Sequence, residues 1–169
     1  MGNSTASIPL NADIIITFDD IIYALKHPYQ YIIIHVLNEI EEKESCLIKN
    51  TLTSQEEIIV CNRILEGDGK DTLYKPIIIY GKNTQDSAKI IKKYNQMKSL
   101  GIPNDIYLYL GGIYEWLALG EMYDIETFPY VAPQAHTTTK CRSLDYVGWS
   151  HFSKLNRTAS THNTYTPHI

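Results

Sequence analysis

At 169 residues the chain is long enough to bury a core, and its net charge of -4 removes nucleic acid as the expected partner. No apolar run approaches the roughly 18 residues of a membrane span, and no signal-peptide pattern opens the chain. Three cysteines, odd in number and without a Cys-x-x-Cys spacing, read as reduced thiols, which excludes a disulfide framework or a zinc site and places the expected protein in the cytoplasm.

The opening Met1-Gly2-Asn3-Ser4-Thr5-Ala6-Ser7 is polar, and residues 1–12 are expected to be flexible. Gly2 behind the initiator methionine makes it a candidate for N-myristoylation, with Ala6 standing where the pattern asks for Ser or Thr. One acyl chain gives only marginal, reversible membrane binding, so a peripheral membrane location needs a second signal. The chain's end offers a weak one. From Pro129 onward Lys140, Arg142, Lys154 and Arg157 stand against a single acid, Asp145.

Ile14-Ile15-Ile16 reads as a short strand, and Thr17-Phe18-Asp19-Asp20 as the capped start of a helix that ends before Pro28. Tyr31 to Val36 is apolar throughout and reads as a buried strand. Its end, from His35 to Asn38, faces the edge where open α/β sheets place their sites. A charged turn, Glu39 to Glu44, leads to a short strand at Cys46-Leu47-Ile48. Thr53-Ser54-Gln55-Glu56 is a capping box ahead of Ile58, Ile59, Cys61, Ile64 and Leu65, whose spacing predicts one apolar helix face. Next come the strand Pro76 to Tyr80, a polar loop from Gly81 to Asp86 and a helix from Ser87 that stops at Gly101. Ile106 to Leu110 is the last strand, followed by Gly111-Gly112 and a helix bearing Ile113, Trp116, Leu117 and Leu119. Alternating strands and helices of this length predict a parallel-sheet α/β domain over 13–128.

From Phe128-Pro129 the periodicity fails, and residues 129–169 are expected to be a disordered or loosely docked tail. Within it Leu144 to Phe152 is an aromatic island, able to pack back on its own domain or to bind a partner.

The loop carries the principal candidate site. Gly81, Lys82, Asn83, Thr84, Gln85, Asp86 and Ser87 lead into a helix, whose first N–H groups and dipole favour an anion. Asp86 is expected to cap those N–H groups with its own carboxylate and so to compete with a bound anion. The loop has no cysteine or arginine, and the spacing of a nucleotide-binding phosphate loop is absent. Cys46 and Cys61 read as structural, whereas Cys141, between Lys140 and Arg142, reads as a modestly reactive surface thiol. His35 is a general base by residue type, or a packed side chain. Tyr107, Tyr109, Tyr114 and Trp116 read as core aromatics, and no residue pattern implies a metal or a cofactor.

The segment Gly111-Gly112-Ile113-Tyr114-Glu115-Trp116, the strand–loop–helix ending Ser87-Ala88, and Leu100-Gly101-Ile102 before the last strand resemble a rhodanese-like domain over about Ile14 to Tyr123. Within that family the chain is similar to divergent domains of some eukaryotes and large DNA viruses. The resemblance implies a central, mostly parallel five-stranded sheet flanked by helices. Active members begin the loop with a persulfide-carrying cysteine and often carry a later arginine; here Gly81 and Asp86 hold those positions. The family's Asp-x-Arg after the second strand is replaced by His35-Val36-Leu37. A glycine has no atom to accept sulfur, and a carboxylate repels thiosulfate where a guanidinium would bind it. Two readings follow. One is a catalytically inactive binding or scaffolding module with an unidentified protein partner, and a membrane anchor at Gly2. The other is a sulfurtransferase- or phosphatase-like enzyme of altered chemistry that uses the loop as an anion site.

Overall fold

Runs of isoleucine and tyrosine build the sheet on which everything else is hung. The computed structural model describes residues 11–67, 74–133 and 141–146. Strands β1 (Ile15–Ile16), β2 (Ile32–His35), β4 (Ile77–Tyr80) and β5 (Ile106–Tyr109) form a four-stranded sheet in the order β1-β5-β4-β2. All of its pairings are parallel, with Ile78 opposite Ile33 on one side and Tyr107 on the other. β-branched side chains suit a pleated surface covered on both faces, and alternate residues serve different layers. Ile33, Ile78, Tyr80 and Tyr109 pack with Ile21 and Ala24 of α1 (Phe18–Lys26) and with Ile113, Trp116 and Leu117 of α5 (Gly112–Met122). Ile32, Ile34, Ile77, Ile79 and Leu108 pack with Ile64 of α3 (Ser54–Glu66) and with Ile90 and Met97 of α4 (Ser87–Ser99).

The expected fifth strand is not in this sheet. β3 is only Leu47–Ile48, and it pairs antiparallel with β6 (Tyr130–Val131) in a separate two-stranded sheet. Asn50, at a φ of 63°, turns the chain just after β3, and Thr51 forms an isolated parallel bridge to Ile33 of the main sheet. The chain beyond Pro129 therefore contributes to the fold, and a second described piece, Cys141 to Tyr146, packs on it as well. Trp116 fixes the route to β6: its indole N–H donates to the Pro129 carbonyl at 3.0 Å, and its ring meets Phe128 edge-on at 4.9 Å.

The charged stretch after β2 is helical. Asn38 accepts N–H bonds from Ile40 and Glu41, and the Glu41 carboxylate in turn accepts the Asn38 N–H, so a capping box starts α2 (Glu39–Glu44) where a turn was expected. Helix α3 also departs from its pattern. Ile64 is buried and Cys61 half-buried, but Ile58, Ile59 and Leu65 are 61%, 53% and 45% exposed. Glu57 takes the buried position because Lys93 of α4 reaches across to neutralise it. No helix among the described residues is long and apolar enough to cross a membrane. Gly2 and the island beyond Tyr146 lie outside the described residues.

Candidate functional site

The loop after β4 lies at the carboxyl edge of the sheet, and neighbouring elements hold it on several sides. Below it, the Tyr80 hydroxyl accepts the Ile48 N–H at 3.1 Å and bonds the Thr51 hydroxyl at 3.0 Å, tying the end of β4 to β3. Burial first, against those bonds, raises this phenol far above its ordinary range, so Tyr80 stays neutral.

Beside it, the first turn of α5 donates into the loop: Ile113 N–H to the Gly81 carbonyl at 3.0 Å and Tyr114 N–H to the Lys82 carbonyl at 2.8 Å. Helix N-termini present unpaired donors, and here they are spent on backbone. The approach is so close that a Cβ on Gly112 would stand 2.4 Å from the Gly81 oxygen, and Gly112 has a φ of 65°. Only glycine meets both demands. The Gly111-Gly112 pair thus has a mechanical task, which is to let α5 grip the loop. Glu115 folds back along Gly111 toward the buried Tyr109 hydroxyl, and burial first and this carboxylate second push the Tyr109 phenol far upward.

Inside the loop, the Asp86 carboxylate is 6% exposed and accepts the Lys82 N–H at 2.8 Å. Its other oxygen pairs with Lys89 at 3.2 Å. The expectation that Asp86 caps α4 with its side chain is corrected: the residue stands at the N-cap, but its carboxylate turns back across the loop and makes no cap bond. Asn83 organises the remainder, with Oδ1 accepting the Gln85 N–H at 2.9 Å and its carbonyl the Asp86 N–H at 3.0 Å. The Ser87 N–H goes to the Thr84 carbonyl. The N–H groups of Lys82, Gln85, Asp86 and Ser87 are therefore all taken by acceptors of the loop itself. Gly81 is buried, and a Cβ placed on it would stand 2.6 Å from Asp86 Cβ and 3.0 Å from Oδ2. The space a side chain at position 81 would occupy is filled by Asp86.

The loop's cation is also engaged. Lys82 Nζ bonds Glu41 of α2, and this bond is the main reason Glu41 lies below the usual carboxylate range. Next to Glu41, Glu42 accepts the N–H and hydroxyl of Ser54 and faces His35 Nε2 at 3.6 Å. His35 is 3% exposed, and its Nδ1 accepts the Leu37 N–H at 3.2 Å, which puts the neutral ring's proton on Nε2. Burial, the largest effect, lowers its pKa against the opposing pull of Glu42. Of the two readings of His35, the structure places it as a packed side chain. A cleft of about 320 Å³ opens on the far side of Glu42, between Ser54 and Val131, and no loop residue lines it.

The cysteines are arranged differently from the expectation. Cys46 and Cys141, 95 residues apart, are bridged with their Cα atoms 6.2 Å apart, so neither is the reduced thiol expected and Cys141 is not a free surface thiol. An odd count and an absent Cys-x-x-Cys spacing carry no information about a pair so distant in sequence. Cys61 stays free and half-buried, with burial first and Glu57 second raising its pKa.

The bridge brings the segment from Cys141 to Tyr146 onto the site, and sequence reasoning missed all of its anchors. Ser143 donates its N–H and hydroxyl to the Glu121 carboxylate at 2.7 and 2.8 Å. The Tyr146 hydroxyl accepts the Cys46 N–H, and the Tyr146 carbonyl accepts the Asn83 amide, both at 2.6 Å. The one available signal was the aromatic island beginning at Leu144. Among the described residues no cluster of His, Cys, Asp or Glu is arranged to hold a metal.

No family model matches the sequence, and no curated protein matches it. The fold has clear structural likenesses. It is similar to the rhodanese-like domain of an Anabaena protein, at 15% identity and a TM-score of 0.50, covering 76% of this chain and 86% of that one. It is similar also to a thiosulfate sulfurtransferase from Pseudomonas aeruginosa, at 14% identity and a TM-score of 0.51 over 71% of this chain. The match spans only 20% of the Pseudomonas chain. The fold is rhodanese-like, and at these identities the likeness concerns the fold alone.

Proposed function

We propose that this rhodanese-like domain is a binding or scaffolding module without sulfurtransfer chemistry, which engages a protein partner and is tethered reversibly to membranes through an acylated Gly2. One observation carries the reading: the Asp86 carboxylate fills the space beside Gly81 and takes the Lys82 N–H that an anion would need. Sulfur transfer needs an acceptor atom at the start of the loop and unsatisfied donors around it, because a thiolate reacts and a persulfide is held only in such surroundings. Position 81 has no side chain, and the N–H groups of Lys82, Gln85, Asp86 and Ser87 are spent within the loop. Lys82 is neutralised by Glu41, which removes the loop's own attraction for phosphate or thiosulfate. A fold retained without its chemistry is a surface for recognition.

The test combines turnover with binding. Purified full-length protein is assayed for thiosulfate:cyanide sulfurtransfer, and its melting temperature is followed with added thiosulfate, sulfate and phosphate. The expected result is no turnover above buffer and no ligand-dependent stabilisation. An anion at about 100 times its Kd would add about 2.7 kcal/mol, an upward shift of several degrees for a chain of this size. Such a shift, or turnover abolished by replacing one cysteine, would overturn the reading in favour of an enzyme using residues 81–87. The tether is read separately, as the intact mass of protein from a myristoylation-competent host, which should lack Met1 and carry one C14 acyl chain.

A further inference from the structure

We propose that the Cys46–Cys141 pair is a reversible redox latch that closes the segment from Cys141 to Tyr146 over the 81–86 loop. The two cysteines differ in a way that suits a latch. Cys46 is 1% exposed at the entrance to β3, whereas Cys141 is only partly buried and precedes the exposed, cationic Arg142. Cys141 is thus the less buried member of the pair, and it adjoins a cation. The segment it carries packs Cys141 and Tyr146 against the core beside α5, and its further ties are few and polar. Its only regular structure is the 3-10 turn Ser143–Tyr146, and Leu144 points to solvent. Ser143 leans on Glu121, and Tyr146 spans the Cys46 N–H and the Asn83 amide. That packing and those polar ties must offset the conformational entropy of ordering the segment, and the covalent bond tips the balance.

The chemistry is thiol–disulfide exchange with a low-molecular-weight disulfide such as oxidised glutathione. The Cys141 thiolate attacks one sulfur of that disulfide and expels a thiolate, forming a mixed disulfide. The Cys46 thiolate then attacks the Cys141 sulfur and expels the second. Two protein thiols are oxidised, one small disulfide is reduced to two thiols, and the two protons pass from the protein thiols to the leaving thiolates. Opening is the reverse, beginning at Cys141. In the closed state Tyr146 covers Asn83 and the Cys46 backbone; in the open state both are returned to solvent beside the loop.

Hydrogen–deuterium exchange on the full chain, equilibrated at fixed ratios of reduced to oxidised glutathione, tests this, with alkylation and mass analysis counting free thiols. Oxidised protein should show only Cys61 alkylated and slow exchange in peptides covering 44–48 and 81–87. Reduction should free the pair and raise exchange there at least tenfold, while peptides of the central sheet at 77–80 and 106–109 stay protected. Cys141→Ser should behave as reduced protein at every ratio. Tyr146→Phe, which leaves both thiols in place, should still form the bridge but exchange faster at 44–48. Equal exchange at 44–48 and 81–87 in the two redox states would overturn the proposal. So would deprotection of the central sheet on reduction, which would make the bridge a plain structural staple, or failure of the pair to oxidise at any ratio. Reduction of the unsubstituted protein keeps the test intact if Cys141→Ser does not fold.

Discussion

Replacing Gly81 by Ala should change sign in its effect on stability according to whether Asp86 is present. Gly81 does not have a positive φ, so its backbone accepts any residue. In an unobstructed position Gly→Ala stabilises by about 0.4–1 kcal/mol by restricting the unfolded chain. The position is obstructed, however, since the new methyl would lie 2.6 Å from Asp86 Cβ, 3.0 Å from Oδ2 and 3.3 Å from Cγ. Carbon atoms prefer 3.5–4.0 Å, and forcing the carboxylate away also breaks its bond to the Lys82 N–H, so Gly81→Ala should cost about 1–3 kcal/mol. Asp86→Gly should cost about 1–3 kcal/mol by leaving a part-buried N–H unpaired. Loss of its pair with Lys89, which is 54% exposed, adds little. In the Asp86→Gly background the three nearest obstructing atoms are gone, and the alanine should recover about 0.4–1 kcal/mol. The coupling energy is then about 1.5–4 kcal/mol, read from urea midpoints and melting temperatures of the four proteins under one fixed redox condition. At about 2–4 °C per kcal/mol for a chain of this length, the sign change is measurable. Additivity within about 0.5 kcal/mol would refute the claim that Asp86 occupies the space beside position 81. By the same geometry Gly81→Cys alone should yield a destabilised protein without sulfurtransferase turnover.

Two further substitutions probe the supports of the loop. Gly112→Ala combines a φ of 65° with a Cβ 2.4 Å from the Gly81 carbonyl, while Gly67→Ala combines a φ of 71° with open space. Gly67→Ala should cost about 1–2 kcal/mol from strain and Gly112→Ala several times as much in denaturant unfolding; equal losses would show that α5 does not grip the loop as described. His35 makes stability pH-dependent. Burial depresses its folded-state pKa below 6.5, so the unfolded state binds the proton first. The contribution is present in full above about pH 6.5 and is lost as pH falls from there toward the folded pKa, at up to about 1.4 kcal/mol per pH unit. His35→Asn, which keeps an acceptor for the Leu37 N–H, should flatten that part of the melting-temperature profile, and an unchanged slope would place the titrating group elsewhere.

Much of the fold was legible because long elements announce themselves by period and punctuation. The isoleucine runs of β2, β4 and β5, the capping box at Thr53 and the stop at Gly101 each rest on local physics that the surroundings do not override. The failures occur where the deciding partner is distant. A two-residue strand has no periodicity, so nothing near Leu47 foretells pairing with Val131 rather than with the main sheet. The face of α3 was misread because a buried glutamate is intelligible only once Lys93 from α4 is seen beside it. In α2, a run of glutamates concealed an ordinary capping box at Asn38 and Glu41.

The loop divides along the same line, between what its residues are and where they lie. That Gly81 cannot carry sulfur and that Asp86 repels an anion follow from residue types alone. The direction of the Asp86 carboxylate does not, because a side chain at a helix start ordinarily turns toward the helix. It turns inward here because Gly81 leaves room for it and the Lys82 N–H is there to meet it, while α5 holds the carbonyls of Gly81 and Lys82 from the opposite side. The same two residues, read separately as the loss of a nucleophile and the loss of a cation, form together one packing unit. That unit makes position 81 resistant to single substitution, and seating a larger side chain there would require both residues to change at once.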